Sequence, residues 1–241
     1  MSLNIENIKK TKSNLNYPSQ LFINGKYQKS ISEKSFENIS PIDGSIVNQV
    51  CFAEQEDIDL AVSKAKETFN KGYWSNLSPG ERKKILLKFA ILLERDRLEL
   101  SLLDTIDMGK TINDTYNADL PTSIDNIEWY AEIIDKLFDD ISPSSKEYLG
   151  LITKEPIGVV AAIVPWNYPL WMAIWKIAPA LITGNSVILK PAEQSPMSAI
   201  KIGALLSEAG VPDGVFSVLP GDGPITGKSL CLHNDIDCVA F

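Results

Sequence analysis

A chain of 241 residues, 44% of them apolar, is long enough to bury one or two cores. Its 23 basic and 31 acidic residues leave a net charge of −8, which excludes a surface built for nucleic acid or for an anionic membrane, because both attract clustered Lys and Arg. Small molecules are the expected partners.

Residues 1–20 are polar and are expected to form a mobile N-terminal tail. A β-rich arm follows, where Leu21, Phe22 and Ile23 meet Asn24-Gly25, a dipeptide suited to a tight hairpin turn. Ser40-Pro41-Ile42-Asp43-Gly44 is turn chemistry, and residues 45–53 alternate as a strand. A helix with Ala61, Ala65 and Phe69 on one stripe then runs from Glu56 towards Gly72. Ser78-Pro79-Gly80-Glu81 combines an N-cap serine, proline at the first helical position and a glutamate placed for a capping box, so a helix begins there. A further helix carries Leu98, Leu102 and Ile106 up to Gly109, and a third spans residues 121–139 with Ile127, Tyr130, Ile134 and Leu137 at helical spacing. Residues 21–141 therefore read as a β-arm with a largely helical part.

The texture changes at Ser142-Pro143-Ser144-Ser145, and residues 142–155 read as a separate arm whose second half is extended. From Gly158 apolar runs (159–164, 186–189, 215–219, 238–241) alternate with helices (170–182, 196–209, 225–231). Short buried strands separated by helices predict an α/β unit over residues 156–241, with a parallel sheet and right-handed crossovers. Ligands of such sheets bind beyond the carboxyl ends of the strands.

The N-terminus has no apolar core of a secretory signal, and the longest apolar stretches are too short or carry Lys176 and Pro179, so no membrane span is expected. Cys51, Cys231 and Cys238 lack metal-ligand spacing and fit a reducing cytoplasm.

The chemistry is expected at the strand ends. The first ends in Pro165-Trp166-Asn167-Tyr168-Pro169, where no glycine-rich dinucleotide fingerprint occurs and two prolines stiffen the backbone around Asn167. Its amide is either a fixed donor for a developing oxyanion or a plain turn hydrogen bond, the commoner reading for a lone asparagine. The second ends in Lys190-Pro191-Ala192-Glu193. An acid after the second strand suits the adenosine ribose hydroxyls and repels a 2′-phosphate, which favours NAD over NADP; a solvated surface pair is the alternative. After the third strand, Gly221-Asp222-Gly223 either makes an ordinary strand-to-helix turn or lets Gly223 bring backbone close to a cofactor. Tyr168, Met172 and Trp175 stand at i, i+4 and i+7, bordered by Trp171 and Lys176, as core packing or as the wall of a substrate tunnel. His233 is assigned no role.

PWNYP, LITGNSVILKPAEQSP, EAGVPDGVFSVLPGDG and DCVAF, in this order, resemble the aldehyde dehydrogenase family. The likeness runs from about residue 22 onward: INGKY, SPIDG and AVSKAKETF match the family's N-terminal region, and GLITKEPIGVVAAIVPWNYP its first nucleotide-binding strand. The resemblance implies an α/β fold of aldehyde dehydrogenase type: a parallel nucleotide-binding sheet with a helical N-terminal part, truncated before the catalytic domain. It implies that Asn167 forms the oxyanion hole. Lys190 and Glu193 would hold the adenosine ribose, Gly223 would lie near the adenine end, and the backbone of Val164, Pro165 and Trp166 would border the cofactor. Lys176 matches a lysine linked in some members to proton relay. Residues 142–155 resemble the strand arm through which family subunits pair, so a homo-oligomer is implied. The string DLPTSIDNIEWYAEIIDK resembles aminoaldehyde-oxidising members.

In the family a cysteine thiolate adds to an aldehyde, hydride passes to NAD and a glutamate-activated water hydrolyses the thioester. The nucleophile and base of relatives lie beyond position 241, and Cys51, Cys231 and Cys238 do not match the nucleophile. The chain is therefore expected to be an NAD-holding fragment, inactive alone. A non-catalytic NAD-binding or assembly module is the alternative.

Overall fold

The computed structural model describes residues 3–241. Where a mobile tail is expected, the chain forms helix α1 (Ile5–Ser13). Asn4 Oδ1 accepts the Glu6 N–H at 2.9 Å, Glu6 lies in the positive first turn, and Lys10 and Lys12 lie in the negative last turn. Local capping and contact with the later helix Arg97–Met108 thus organise a largely polar segment none of whose residues is buried.

The hairpin forms as expected: β1 (Leu21–Ile23) and β2 (Lys26–Gln28) pair antiparallel around Asn24 and Gly25, whose φ values of 52° and 75° fit a primed turn. A second hairpin joins β3 (Ser35–Ile39) to β4 (Ile46–Cys51). Four helices follow: α2 (Gln55–Asn70), α3 (Pro79–Arg95), α4 (Arg97–Met108) and the single turn α5 (Ile112–Asp114). The capping box before α3 is present, with the Ser78 N–H donating to Glu81 at 2.8 Å. Gly109, at φ 72°, ends α4 as a left-handed cap.

A wide turn over Thr115–Asp119 leads into α6 (Leu120–Ile133), which is shorter than its apolar spacing predicts. After a short tight turn, Phe138 points to solvent and the chain switches to strand β5 (Asp140–Ser142), paired with β6 (Gly150–Ile152) in the 142–155 region. Then come β7 (Val159–Ile163), α7 (Pro169–Ile182), β8 (Ser186–Lys190), α8 (Met197–Ala209) and β9 (Phe216–Val218), with α9 (Lys228–Leu232) and β10 (Cys238–Ala240) last.

The main sheet has the order β10-β7-β8-β9-β1-β2. It is mixed rather than purely parallel. β10, β7, β8 and β9 are parallel, but the β1–β2 hairpin adds antiparallel to β9, with Phe22 opposite Val218. An open β9 edge would be a pairing template for other chains, and the hairpin covers it. Phe22 fixes the hairpin against α8: a Cβ at Gly203 would come within 2.6 Å of its ring, so the small residue is required there.

Both faces of the sheet are covered, which is why its strands read as continuous apolar runs. Val160, Ala162, Val187 and Leu189 pack with α3, α6, α7 and α8 on one side. Val159, Ala161 and Ile188 pack with Ile58, Ala61, Val62 and Ala65 of α2 on the other. Among the described residues no helix is long and apolar enough to cross a membrane, and no group of three or more His, Cys, Asp or Glu could hold a metal ion.

Candidate functional site

The parallel strands end side by side. Ile163 lies opposite Lys190, Leu189 opposite Val218 and Ala162 opposite Ala240, so the loops that leave them open on one edge of the sheet. The ladder runs on for one residue, with Val164 N donating to Lys190 O at 3.1 Å and Leu219 N to Leu189 O at 2.9 Å.

In the first loop Val164 is buried, while Pro165, Trp166 and Asn167 are exposed and Tyr168 is half-buried before Pro169 opens α7. The Asn167 amide has no hydrogen-bond partner among the described residues, so the turn bond offered as its alternative role is not made. In the second loop the Lys190 side chain is only 4% exposed and its ammonium lies 3.4 Å from Glu193, whose own side chain is 39% exposed. Burial pushes the Lys190 ammonium below its usual range, against the pull of the Glu193 carboxylate. Ser195 Oγ donates to Trp166 O at 3.3 Å and ties the two loops together. Trp166, Glu193 and Gln194 line one side of an open pocket of about 370 Å³, with Phe36, Ile39 and Met108 on the other.

The third loop separates two glycines by function. A Cβ at Gly221 would lie 1.9 Å from Thr226 Oγ1, which itself donates to Ala53 O at 2.6 Å; a Cβ at Gly223 meets nothing within 4 Å. Gly221 is therefore the residue packing demands, and Gly223 leaves open space. Asp222 accepts the Ile225 N–H at 2.7 Å and caps the turn Gly223–Gly227 that precedes α9, so the helical stretch starts as a wide turn rather than at Ile225.

On α7 the predicted stripe divides. Tyr168 and Trp171 meet edge to face with centroids 5.2 Å apart, Trp175 is half exposed, and Met172 packs on the core. Lys176 donates to Phe241 O at 3.2 Å and so ties α7 to the residue after β10. The cysteines stay apart from this edge: Cys51 ends β4, Cys231 lies in α9 and Cys238 opens β10 at the opposite end of that strand. His233 lies 3.4 Å from Asp59.

Sequence reasoning missed the floor beneath these loops. Lys110 Nζ sits 4.0 Å from the centre of the Tyr168 ring and 2.6 Å from the buried Asp119 carboxylate. In α4, Asp104 and Asp107 are 1% and 2% exposed, and burial pushes their carboxyls up to about 7 and about 8. One signal was available: acids in the last turn of a helix oppose its dipole, and α4 has no basic residue there to offset them.

The sequence profile of the Aldehyde dehydrogenase family matches residues 27–241. The chain is 46% identical over 223 residues to the NADP/NAD-dependent aldehyde dehydrogenase PuuC of Escherichia coli (strain K12), covering 92% of this chain and 45% of that protein. The P. syringae AldA indole-3-acetaldehyde dehydrogenase, a variant crystallised in complex with NAD+ and IAA, superposes with a TM-score of 0.96 at 47% identity, over 99% of this chain and 48% of that one. The gamma-glutamyl-gamma-aminobutyraldehyde dehydrogenase of Burkholderia cenocepacia J2315 does so with a TM-score of 0.96 at 44% identity, over 99% and 48%. The chain spans about half the length of the relatives it matches.

Proposed function

The chain belongs to the aldehyde dehydrogenase family, and we propose that residues 156–241 hold NAD for the oxidation of an aldehyde to a carboxylic acid. One coincidence carries this reading: the buried Lys190 beside Glu193, the open backbone at Gly223 and the unpartnered Asn167 amide share one sheet edge.

These residues fit a dinucleotide. Glu193 accepts hydrogen bonds from the adenosine ribose hydroxyls, with Lys190 holding it in place, and Gly223 leaves room for the adenine end. The backbone of Val164, Pro165 and Trp166 borders the other half. Because Glu193 carries a negative charge where a 2′-phosphate would sit, NAD is favoured over NADP. When bound, NAD accepts the hydride of the oxidation.

Asn167 donates a hydrogen bond to the oxygen of the substrate carbonyl as negative charge develops on it, and one such donor contributes about 3–4 kcal/mol to lowering a barrier. We assign proton relay to Lys176, whose ammonium donates to the Phe241 carbonyl, on the family resemblance alone. Tyr168, Trp171, Met172 and Trp175 form the substrate wall. An aminoaldehyde suits that wall, because the Trp171 and Trp175 rings can enclose its methylene chain and attract its cation, while the Tyr168 ring is already taken by the Lys110 ammonium. The relative from Burkholderia, whose name carries an aminobutyraldehyde, supports this class.

The 142–155 region, with Ile141, Leu149, Leu151 and Ile152 exposed on its hairpin, serves as the arm for pairing with a second copy. A reducing cytoplasm is the compartment we assign, since it fits three free cysteines. Calorimetric titration of the chain with NAD and with NADP tests the central claim: saturable binding of NAD, with NADP weaker, is expected, and no heat from either nucleotide overturns it.

A further inference from the structure

Asp222 caps the helical stretch that leaves the third crevice loop, but the helices that leave the first two carry no N-terminal cap of their own. Tyr168 before α7 and Pro196 before α8 make no side-chain capping bond. One orphaned N–H of each is met from far along the chain instead: Met197 N donates to Asp107 Oδ2 at 2.9 Å, and Leu170 N makes a longer bond of 3.5 Å to Asp104 Oδ2. Both acids sit one turn apart in the last turns of α4, where the helix dipole disfavours the charged form of each as burial does. Asn38 Nδ2 donates to the other oxygen of Asp107 at 2.8 Å and fixes the rotation of that carboxyl. The helices so held begin where residues 164–168 and 191–196 end, the loops that carry Asn167 and Glu193 and that Ser195 already joins.

We propose that Asp104 and Asp107 are positioning residues: from one rigid helix end they lock the first turns of α7 and α8, and so set Asn167 and Glu193 relative to each other. Near neutral pH Asp107 accepts largely as a neutral acid and Asp104 as a mixture of neutral acid and carboxylate, because burial favours the neutral form. An amide of the same shape therefore keeps the function. At position 107 its NH₂ also meets the Asn38 Oδ1, which is buried without a partner, once the Asn38 amide turns over.

Asp104→Leu and Asp107→Leu remove the acceptors, and Asp104→Asn and Asp107→Asn keep them. The Leu variants are expected to shift the backbone amide resonances of Trp166, Asn167 and Glu193, and to speed amide hydrogen exchange at Leu170 and Met197 at least tenfold. They are also expected to weaken NAD binding about tenfold. The Asn variants return all three signals to within about threefold of the parent. Leu93→Ala, a core variant in α3, lowers the melting temperature while leaving the loop resonances in place, which separates positioning from general stability. Should a Leu variant not fold, Asp104→Ser and Asp107→Ser, too short to reach the two amides, report the same signals.

Unmoved loop resonances in the Leu or Ser variants, or equal shifts in Leu93→Ala, overturn the proposal. The binding readout alone rests on the cofactor reading. If the parent chain takes up no NAD, that reading falls, while the resonances and exchange rates still decide the clamp.

Discussion

Gly223→Ala separates cofactor contact from folding. The added Cβ meets nothing within 4 Å, and the backbone there needs no positive φ, so the native chain has room for it. Losing a glycine at the start of a helical turn stabilises the fold by up to about 1 kcal/mol through the unfolded chain. For a chain of this size that raises the melting temperature by roughly 2–4 °C. If the adenine end of NAD lies against this backbone, the same methyl group stands in its way. Overpacking by one carbon costs about 1–3 kcal/mol, which corresponds to a loss of affinity of roughly 5- to 150-fold. Gly221→Ala is the matched opposite, because its Cβ would collide with Thr226 at 1.9 Å and break a turn anchored on Ala53. A melting curve and a calorimetric NAD titration on both variants read the two effects. An unchanged dissociation constant for Gly223→Ala, or a fall in its melting temperature matching that of Gly221→Ala, refutes the placement of the cofactor over Gly223.

Three further outcomes are expected. The Asp104 carboxyl is raised from 3.8 to about 7, so the native chain binds its proton more tightly than the unfolded chain. Its contribution to stability is fully present below pH 3.8 and is lost as pH rises towards 7, on the order of 4 kcal/mol as an upper bound. Other carboxylates held below their usual range act in the opposite direction, so the comparison with the Asp104→Asn/Asp107→Asn double variant isolates the effect: between pH 4 and pH 8 the denaturant midpoint of the parent should fall relative to that of the variant, and parallel curves contradict the burial argument. Glu193→Gln removes the charge that opposes a 2′-phosphate, so the ratio of NADP to NAD affinity should rise about tenfold at low salt. Competitive titration that leaves the ratio unmoved rejects that role. Finally, the chain by itself should oxidise no aldehyde, because Cys51, Cys231 and Cys238 lie away from the Asn167 edge. Steady NADH formation by the purified chain would reject this assignment of roles.

The strands of residues 156–241 were legible because a strand buried on both faces must be apolar throughout, as Val159–Ile163 and Ser186–Lys190 nearly are. Helix α3 was legible because its start is written in four adjacent residues that satisfy one another. Even the sharp turn at Asn24-Gly25 was local. Where the hairpin goes was not: its attachment to β9 rests on a single ladder pair, Phe22 with Val218, and on the absence of a side chain at Gly203. Nothing within a few residues of Phe22 encodes that partner.

The candidate site divides along the same line. Asn167, Lys190, Glu193 and Gly223 were found because each ends a strand whose direction could be inferred, so position alone brought them to one edge. The helices behind the first two loops lack local caps, and a reader of local signals sees there only Tyr168 and Pro196, both poor capping residues. The missing acceptors stand 66 and 90 residues away, on a helix whose own dipole they oppose. Two defects in the local pattern, uncapped helix starts at 169 and 197 and misplaced acids at 104 and 107, therefore cancel only in three dimensions. Both concern the placement of the loops that hold the candidate chemistry. A segment that violates its own helix rules and gains nothing locally is a signal that some other element uses those residues.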